Sequence, residues 1–376
     1  MQRFQRVENP DLLVIAGEAS GDEHAAALVA KLKKRNPSLR VAALGGSRLA
    51  AVETIMLEDL VAHSRVGIWE VLKHLGAFMR LINETVRWVE INRPREVLLV
   101  DFVGFNLEVA KRLYQKKLAG KAGGPVKLYF YISPQIWAWK ALRRFKIAKW
   151  IDSMGAIFPF EPACYADTNL QVEFVGHPFV DAEYKSPFGY DPAGPMLLLP
   201  GSRRALVAKH LPILWAAFKL FEKTHPGAKA AACYASESLR RQMIKITGGQ
   251  LTLYPAGAPV KARAAFCTAG TIALTIALAG IPGVVFYKTD PLTFFYGKQV
   301  YSGKYIGMPN ILLKREVMKE LLQDAVTPEQ LAEQMGRLWN DASAAQTAAQ
   351  TASELKQFLG TPSRRSSVEW VESGLS

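Results

Sequence analysis

Long apolar runs are missing from this 376-residue chain. None approaches the roughly 18 residues of a bilayer-spanning helix. The first apolar stretch, Leu12–Ala16, is too short for the core of a signal peptide. The expectation is a cytoplasmic protein, at most peripheral to a membrane. Cysteine is scarce: Cys164, Cys233 and Cys267 are far apart and without metal-ligand spacing, which fits a reducing compartment and speaks against a structural disulfide. Six scattered histidines form no HxH or HxxxH pair, so neither a zinc site nor any other metal is expected. A GxGxxG fingerprint is absent, and no cofactor is predicted. Acidic residues are also short, 33 against 47 Lys and Arg, giving a formal charge of +14. That surplus points to polyanionic partners, either an anionic membrane or phosphorylated substrates; solubility alone is the plainer reading. With no RRM, HTH or KH motif, nucleic acid is not among the expected partners.

What is present is a regular alternation. Short apolar runs occur at Leu12–Ala16, Val97–Asp101, Leu128–Ile132, Gly155–Phe158 and Val172–Val175. They recur at Met196–Leu199, Ala228–Tyr234, Leu251–Tyr254, Ala264–Thr268 and Gly283–Tyr287. Each is followed by a turn and a helix-like pattern, the signature of parallel α/β sheets. The pattern restarts after Lys185–Pro195 (KSPFGYDPAGP), which reads as a linker. Two doubly wound, Rossmann-like domains are expected, over 1–185 and 186–360. Residues 361–376 either cross back to the first domain or fray.

Open α/β sheets bind ligands at the carboxyl ends of their strands, so the strand-end motifs carry most weight. Gly17-Glu18-Ala19-Ser20-Gly21-Asp22 is a small-residue turn opening a helix, suited to close approach of an acceptor or simply to a tight turn. Asp101 ends an apolar strand and reads as a general base or as a helix N-cap. Ser133-Pro134-Gln135-Ile136-Trp137-Ala138-Trp139 leads into a basic stretch, which suits sugars or anionic head groups as well as a solvated helix. Pro200-Gly201-Ser202-Arg203 and Ala269-Gly270-Thr271 are glycine turns at helix starts, fit for phosphates, although the first also reads as a basic turn with no ligand. Gly307-Met308-Pro309-Asn310 sets an amide on an irregular loop or forms only a turn. Along Val66–Ile82, Ile68, Trp69, Leu72, Leu75, Phe78 and Met79 recur at helical spacing, as in a core-facing helix or one that meets acyl chains.

In their order and spacing these motifs resemble lipid A disaccharide synthase, glycosyltransferase family 19. The matches are AGEASGD (16–22), VGIWEVL (66–72), DFVGFN (101–106), SPQIWAW (133–139), FPFE (158–161), FVGHPFVD (174–181), LLPGSR (198–203), AGTIALT (269–275) and GMPNIL (307–312), which span nearly the whole chain. The resemblance implies a GT-B fold, two Rossmann-like domains facing across a cleft. It also implies metal-independent, inverting transfer from UDP-2,3-diacylglucosamine to 2,3-diacylglucosamine 1-phosphate (lipid X) at an anionic membrane surface. A homodimer is compatible with it.

Carried over by position, Asp101 is the general base or acceptor-positioning carboxylate, Arg203 the cation for the donor phosphates and Asn310 an amide reaching the donor. Gly201, Ser202, Gly270, Thr271 and Thr275 belong to donor binding. Ser20, Ser133, Gln135 and Trp137 line the cleft. The apolar positions of Val66–Ile82 become the membrane or acyl surface. Two positions depart from the family pattern: Thr275 and Leu206 stand where glutamates are usual, which implies weakened or altered donor binding. The competing readings are a UDP-sugar 2-epimerase, which needs no acyl-accommodating surface, and a silent lipid or nucleotide binder.

Overall fold

The computed structural model describes residues 4–64, 75–290, 294, 301, 303–360, 362 and 364–376. Its elements run β1 (Leu12–Ala16), α1 (Ala19–Arg35), β2 (Val41–Gly45), α2 (Ser47–Ala50), β3 (Ile55–Asp59), α3 (Leu60–Ser64), α4 (Leu75–Asn92), β4 (Glu96–Val100), α5 (Val103–Gln115), β5 (Lys127–Tyr131), α6 (Arg143–Trp150), β6 (Ser153–Ala156) and β7 (Gln171–Phe174). They continue with β8 (Phe188–Tyr190), β9 (Met196–Leu199), α7 (Arg204–Thr224), β10 (Ala230–Tyr234), α8 (Glu237–Thr247), β11 (Thr252–Pro255), β12 (Val260–Ala262), β13 (Ala264–Thr268), α9 (Thr271–Leu278) and β14 (Gly283–Tyr287). The last are α10 (Met308–Leu313), β15 (Lys319–Leu322), α11 (Pro328–Asn340), α12 (Ala344–Gly360) and α13 (Ser367–Leu375).

Two compact units result. The first holds the chain up to Pro178 together with Leu359–Ser376, the second Phe179–Phe358. Unit one is built on a seven-stranded sheet of order β3-β2-β1-β4-β5-β6-β7, unit two on a six-stranded sheet of order β11-β10-β9-β13-β14-β15. Every strand pair is parallel, as expected where helices must carry each crossover. The central strands LLVIA and MLLL are buried along their whole length, which explains their unbroken apolar composition. Each unit has its own apolar core, one around Phe105, Phe130 and Trp88, the other around Phe218, Phe266 and Phe286.

Lys185–Pro195 is not a free linker. Phe188–Tyr190 within it forms β8 and pairs with β12 of the second unit. The units part earlier, after Pro178. Pro187 precedes this three-residue strand and Gly189 lies at its centre, and neither prevents its pairing. At the other end, α13 packs on β4 and β5 of unit one. Trp370 is fully buried there, its ring tilted against Tyr129 at 4.9 Å, and its indole N–H donates to Ser153 Oγ at 2.8 Å. Ser366 and Glu369 close a capping box at the start of that helix.

Candidate active site

In a doubly wound sheet the strand-end crevice lies where successive crossovers diverge to opposite sides. The order of the first sheet places that point between β1 and β4, and the order of the second between β9 and β13. The turns after these four strands are Gly17–Gly21, Asp101–Phe102, Pro200–Arg203 and Ala269–Thr271. Sequence motifs scattered over 255 positions thus become two sites, one at each switch point (17 to 271).

At the first, Asp101 and Phe102 both take left-handed backbone, with φ of 46° and 40°. Two successive non-glycine residues there cost on the order of 1–3 kcal/mol each. The strain is held by Asn106, fully buried in α5, whose Nδ2 donates to Asp101 O at 2.8 Å and Val100 O at 3.2 Å. Asp101 N–H also donates to Tyr131 O at 3.0 Å. The Phe102 ring stacks on Phe105 at 5.6 Å. A Cβ on Gly17 would lie 2.2 Å from that ring, so only glycine lets the β1 turn approach. Gly21 closes the same side, within 3.8 Å of Asp101 Cβ for a modest side chain. The bend aims a half-buried carboxylate out of the strand end. Burial, then the neighbouring Glu18 carboxylate, push Asp101 up to about 6, while the Phe102 N–H pulls it down. A carboxylate poised there is ionised at neutral pH and basic enough to accept a hydroxyl proton.

The other sequence-predicted residues of unit one divide. Ser20 lies exposed in the first turn of α1, and Gln135 is exposed in the loop after β5. Ser133 is buried, and its hydroxyl lies 3.2 Å from Tyr165 Oη, so it braces the loop from inside. Trp137 packs edge-on against Phe160 at 5.4 Å. Its indole lies beside Glu161, a buried carboxyl pushed up to about 8 by desolvation and partly restored by the N–H groups of Phe158 and Ile157 and by that indole. Phe78 and Met79 are half-buried. They pack on the first core, Phe78 edge-on to Phe105 at 5.4 Å. Ile68, Trp69, Leu72 and the Leu75 side chain lie outside the described residues.

At the second switch point the bends are left to glycine. Gly201 has φ 109° and Gly270 φ 125°, conformations that other residues rarely adopt. Arg203 is the N-cap of α7 and Gly270 that of α9, and neither helix start carries a side-chain cap. The first N–H groups of both helices therefore remain available to an anion, with the helix dipoles adding to their field. Ser202, Arg203 and Thr271 are exposed beside them. The Pro200 turn is fixed from beneath by His210, fully buried, with its ring nitrogens 3.0 Å from Pro200 O and 2.9 Å from Lys288 O. Leu206 packs under Gly201, where a Cβ would meet it at 3.1 Å. Thr275 is buried and donates to Thr271 O in its own helix at 3.1 Å.

Asn310 is not a donor-reaching amide. It is fully buried, and both its donors and its acceptor oxygen are taken. Nδ2 donates to Met318 O and to Glu320 Oε1, each at 2.7 Å, and Oδ1 accepts from Val317 N and Met318 N at 2.8 and 2.9 Å. An amide has no further hydrogen bonds to give. Its work is to lock α10 to the start of β15. Glu320 also holds the N–H groups of Ile306 and Gly307 at 2.9 Å.

Sequence reasoning missed Glu18, Glu161, His210 and Glu320. The first two lie inside quoted motifs, but their roles depend on partners that the chain brings in from elsewhere. Among the described residues, no three His, Cys, Asp or Glu side chains are grouped as a metal would need.

Two Rossmann-like units, each built on a parallel sheet, are the GT-B architecture. The UDP-GlcNAc 2-epimerase from Neisseria meningitidis, solved bound to UDP-GlcNAc, matches 93% of this chain and 98% of its own with a TM-score of 0.59 at 12% identity. The spinosyn rhamnosyltransferase SpnG, complexed with thymidine diphosphate, matches 96% and 99% with a TM-score of 0.54 at 14% identity. Residues 12–371 match the family model described as lipid-A-disaccharide synthetase, and the chain belongs to that family. The lipid-A-disaccharide synthases of Geobacter metallireducens and of Coxiella burnetii (strain RSA 331 / Henzerling II) are each 35% identical to it. They cover 89% of this chain, which in turn covers 88% and 90% of theirs. The chain is thus a glycosyltransferase of lipid A biosynthesis. Among the described residues no helix is long and apolar enough to cross a membrane.

Proposed function

We propose that the chain joins UDP-2,3-diacylglucosamine to 2,3-diacylglucosamine 1-phosphate, forming a β-1,6 disaccharide 1-phosphate and UDP, at the anionic inner face of the cytoplasmic membrane. The reaction is one displacement with inversion. The acceptor 6-hydroxyl oxygen attacks the anomeric carbon, Asp101 takes the hydroxyl proton, and the bond to the pyrophosphate oxygen breaks with its electron pair leaving on UDP. The charge gathering on that leaving group meets the α7 and α9 N–H groups and the Arg203 guanidinium. Asn310 has no part in this step.

The observation that carries the reading is the strained, amide-clamped turn that aims Asp101, raised to about 6, from the first switch point. Family membership supports the substrate class, and the +14 charge supports the membrane. The test incubates the purified protein with both lipid substrates in EDTA and reads products by mass spectrometry. A tetraacyl disaccharide 1-phosphate is expected. UDP binding without product would sink the reading and point to an altered donor at Thr275 and Leu206.

A further inference from the structure

Beside the Asp101 turn, unit one holds a cavity of about 440 Å³, within the usual range for small-ligand pockets. Its walls are largely apolar: Val103, Gly104 and Leu107 from α5, Ile136 and Trp139 from the loop after β5, and Trp150 from α6. Two charged side chains reach it. Glu108 is neutralised by Arg112 at 3.0 Å and Lys111 at 3.5 Å. Arg143 has no carboxylate partner among the described residues and lies 5.4 Å from the Trp139 ring, with Lys140 at 4.5 Å from the same ring.

Gly104 is the informative residue. Glycine costs a helix up to about 1 kcal/mol relative to alanine. Here neither a left-handed φ nor a close neighbour requires it, because a Cβ at 104 would meet nothing within 4 Å. What its missing side chain does is keep the cavity open. The segment that begins at Trp139, on the cavity wall, is equally unusual for a soluble surface. Trp139, Leu142 and Phe145 are 48%, 75% and 47% exposed within seven residues. The stretch from Trp139 to Trp150 carries five cations and no acid. Apolar side chains interleaved with cations fit the boundary of an anionic bilayer.

We infer that this cavity binds a fatty acyl chain of an anionic lipid, with Lys140 and Arg143 on its phosphate and Trp139, Leu142 and Phe145 set into the lipid surface from which the chain is drawn. The inference deepens the proposed function and rests on its lipid substrates. The place of the cavity, two residues beyond Asp101, would present a lipid-linked hydroxyl to the base. Lipid in the bilayer, not free phosphate, is the source.

The test titrates dihexanoyl phosphatidylglycerol, below its micelle concentration, into the full chain and follows binding by calorimetry. Glycerol phosphate serves as the chainless control. Gly104→Leu fills the cavity and raises helix propensity, so it is expected to fold and to weaken lipid binding at least about tenfold. Arg143→Gln should weaken it several-fold and reduce its salt dependence. UDP affinity, which belongs to unit two, stays unchanged in both. Wild-type affinity for the lipid in both variants overturns the inference, as does glycerol phosphate binding as tightly as the lipid. Lipid binding lost in Gly104→Leu, in a wild-type protein that makes no disaccharide, would uphold the cavity while removing the proposed reaction. Disaccharide synthesis with an unchanged KM for the acceptor in Gly104→Leu would do the reverse.

Discussion

The two switch points do the same topological job by opposite means. In unit one the bend falls on Asp101 and Phe102, residues that resist it, and a buried amide holds them. In unit two the bend falls on Gly201 and Gly270, which adopt it without strain. A site that must aim one side chain needs a residue with a side chain at the bend, whatever the local cost. A site that offers backbone N–H groups to an anion needs close approach, and a side chain at the bend would only obstruct it. In the proposed reaction this division gives proton chemistry to the first site and charge stabilisation to the second.

The contrast is broken most directly at Asp101. Asp101→Asn keeps size and shape but removes the base, and turnover should fall about 10²- to 10⁴-fold. UDP protection against thermal unfolding should stay as in the wild type. A near wild-type rate would remove Asp101 from the chemistry. Arg203→Ala strikes the other side, and an effect of about 10²-fold is expected on kcat/KM. Unlike the first variant, it should also weaken UDP binding. If Arg203→Ala left UDP affinity intact, the anion-binding character assigned to the second switch point would fail.

Asn310→Ala separates scaffold from site. It removes a fully buried amide that makes four hydrogen bonds and leaves Glu320 and two backbone N–H groups short of partners. Each orphaned group costs about 1–3 kcal/mol. The melting temperature should drop by several degrees, with kcat per folded molecule preserved. A selective loss of kcat at unchanged stability would restore the donor-side role that the structure takes from it.

How far these roles were legible in sequence depended on where their partners lie. The runs at Leu12–Ala16, Met196–Leu199, Ala264–Thr268 and Gly283–Tyr287 coincide with strands because sheet centres are buried on both faces and need unbroken apolar residues. Val41–Gly45 escaped notice because it is built mainly from alanine and glycine, and Ile55–Asp59 and Lys319–Leu322 because edge strands are only partly covered and carry charge. Asp101 stood out as a carboxylate closing an apolar strand. Asn310 misled because its partners, Val317, Met318 and Glu320, come to it only through the fold. His210 was invisible for the same reason: mid-helix, it looks like any polar residue until Pro200 and Lys288 close around it.

The finest test of the contrast is the acid limb of activity. Asp101 must be ionised to take a proton, so kcat/KM should rise with pH through about 6 and level off above it, provided chemistry limits the rate. Burial is the larger cause of that raised value, and the Glu18 charge the smaller. Glu18→Gln removes a negative neighbour and leaves the burial. The protonated form of Asp101 then loses part of its advantage, and its pKa moves down toward the ordinary 3.8 without reaching it. The limb should shift to lower pH by a fraction of a unit, with the plateau little changed. Parallel measurement on Arg203→Ala supplies the comparison: that variant lowers the plateau and leaves the limb in place. A limb that moved in Arg203→Ala and stayed fixed in Glu18→Gln would reverse the assignment, placing proton chemistry with the second switch point rather than the first.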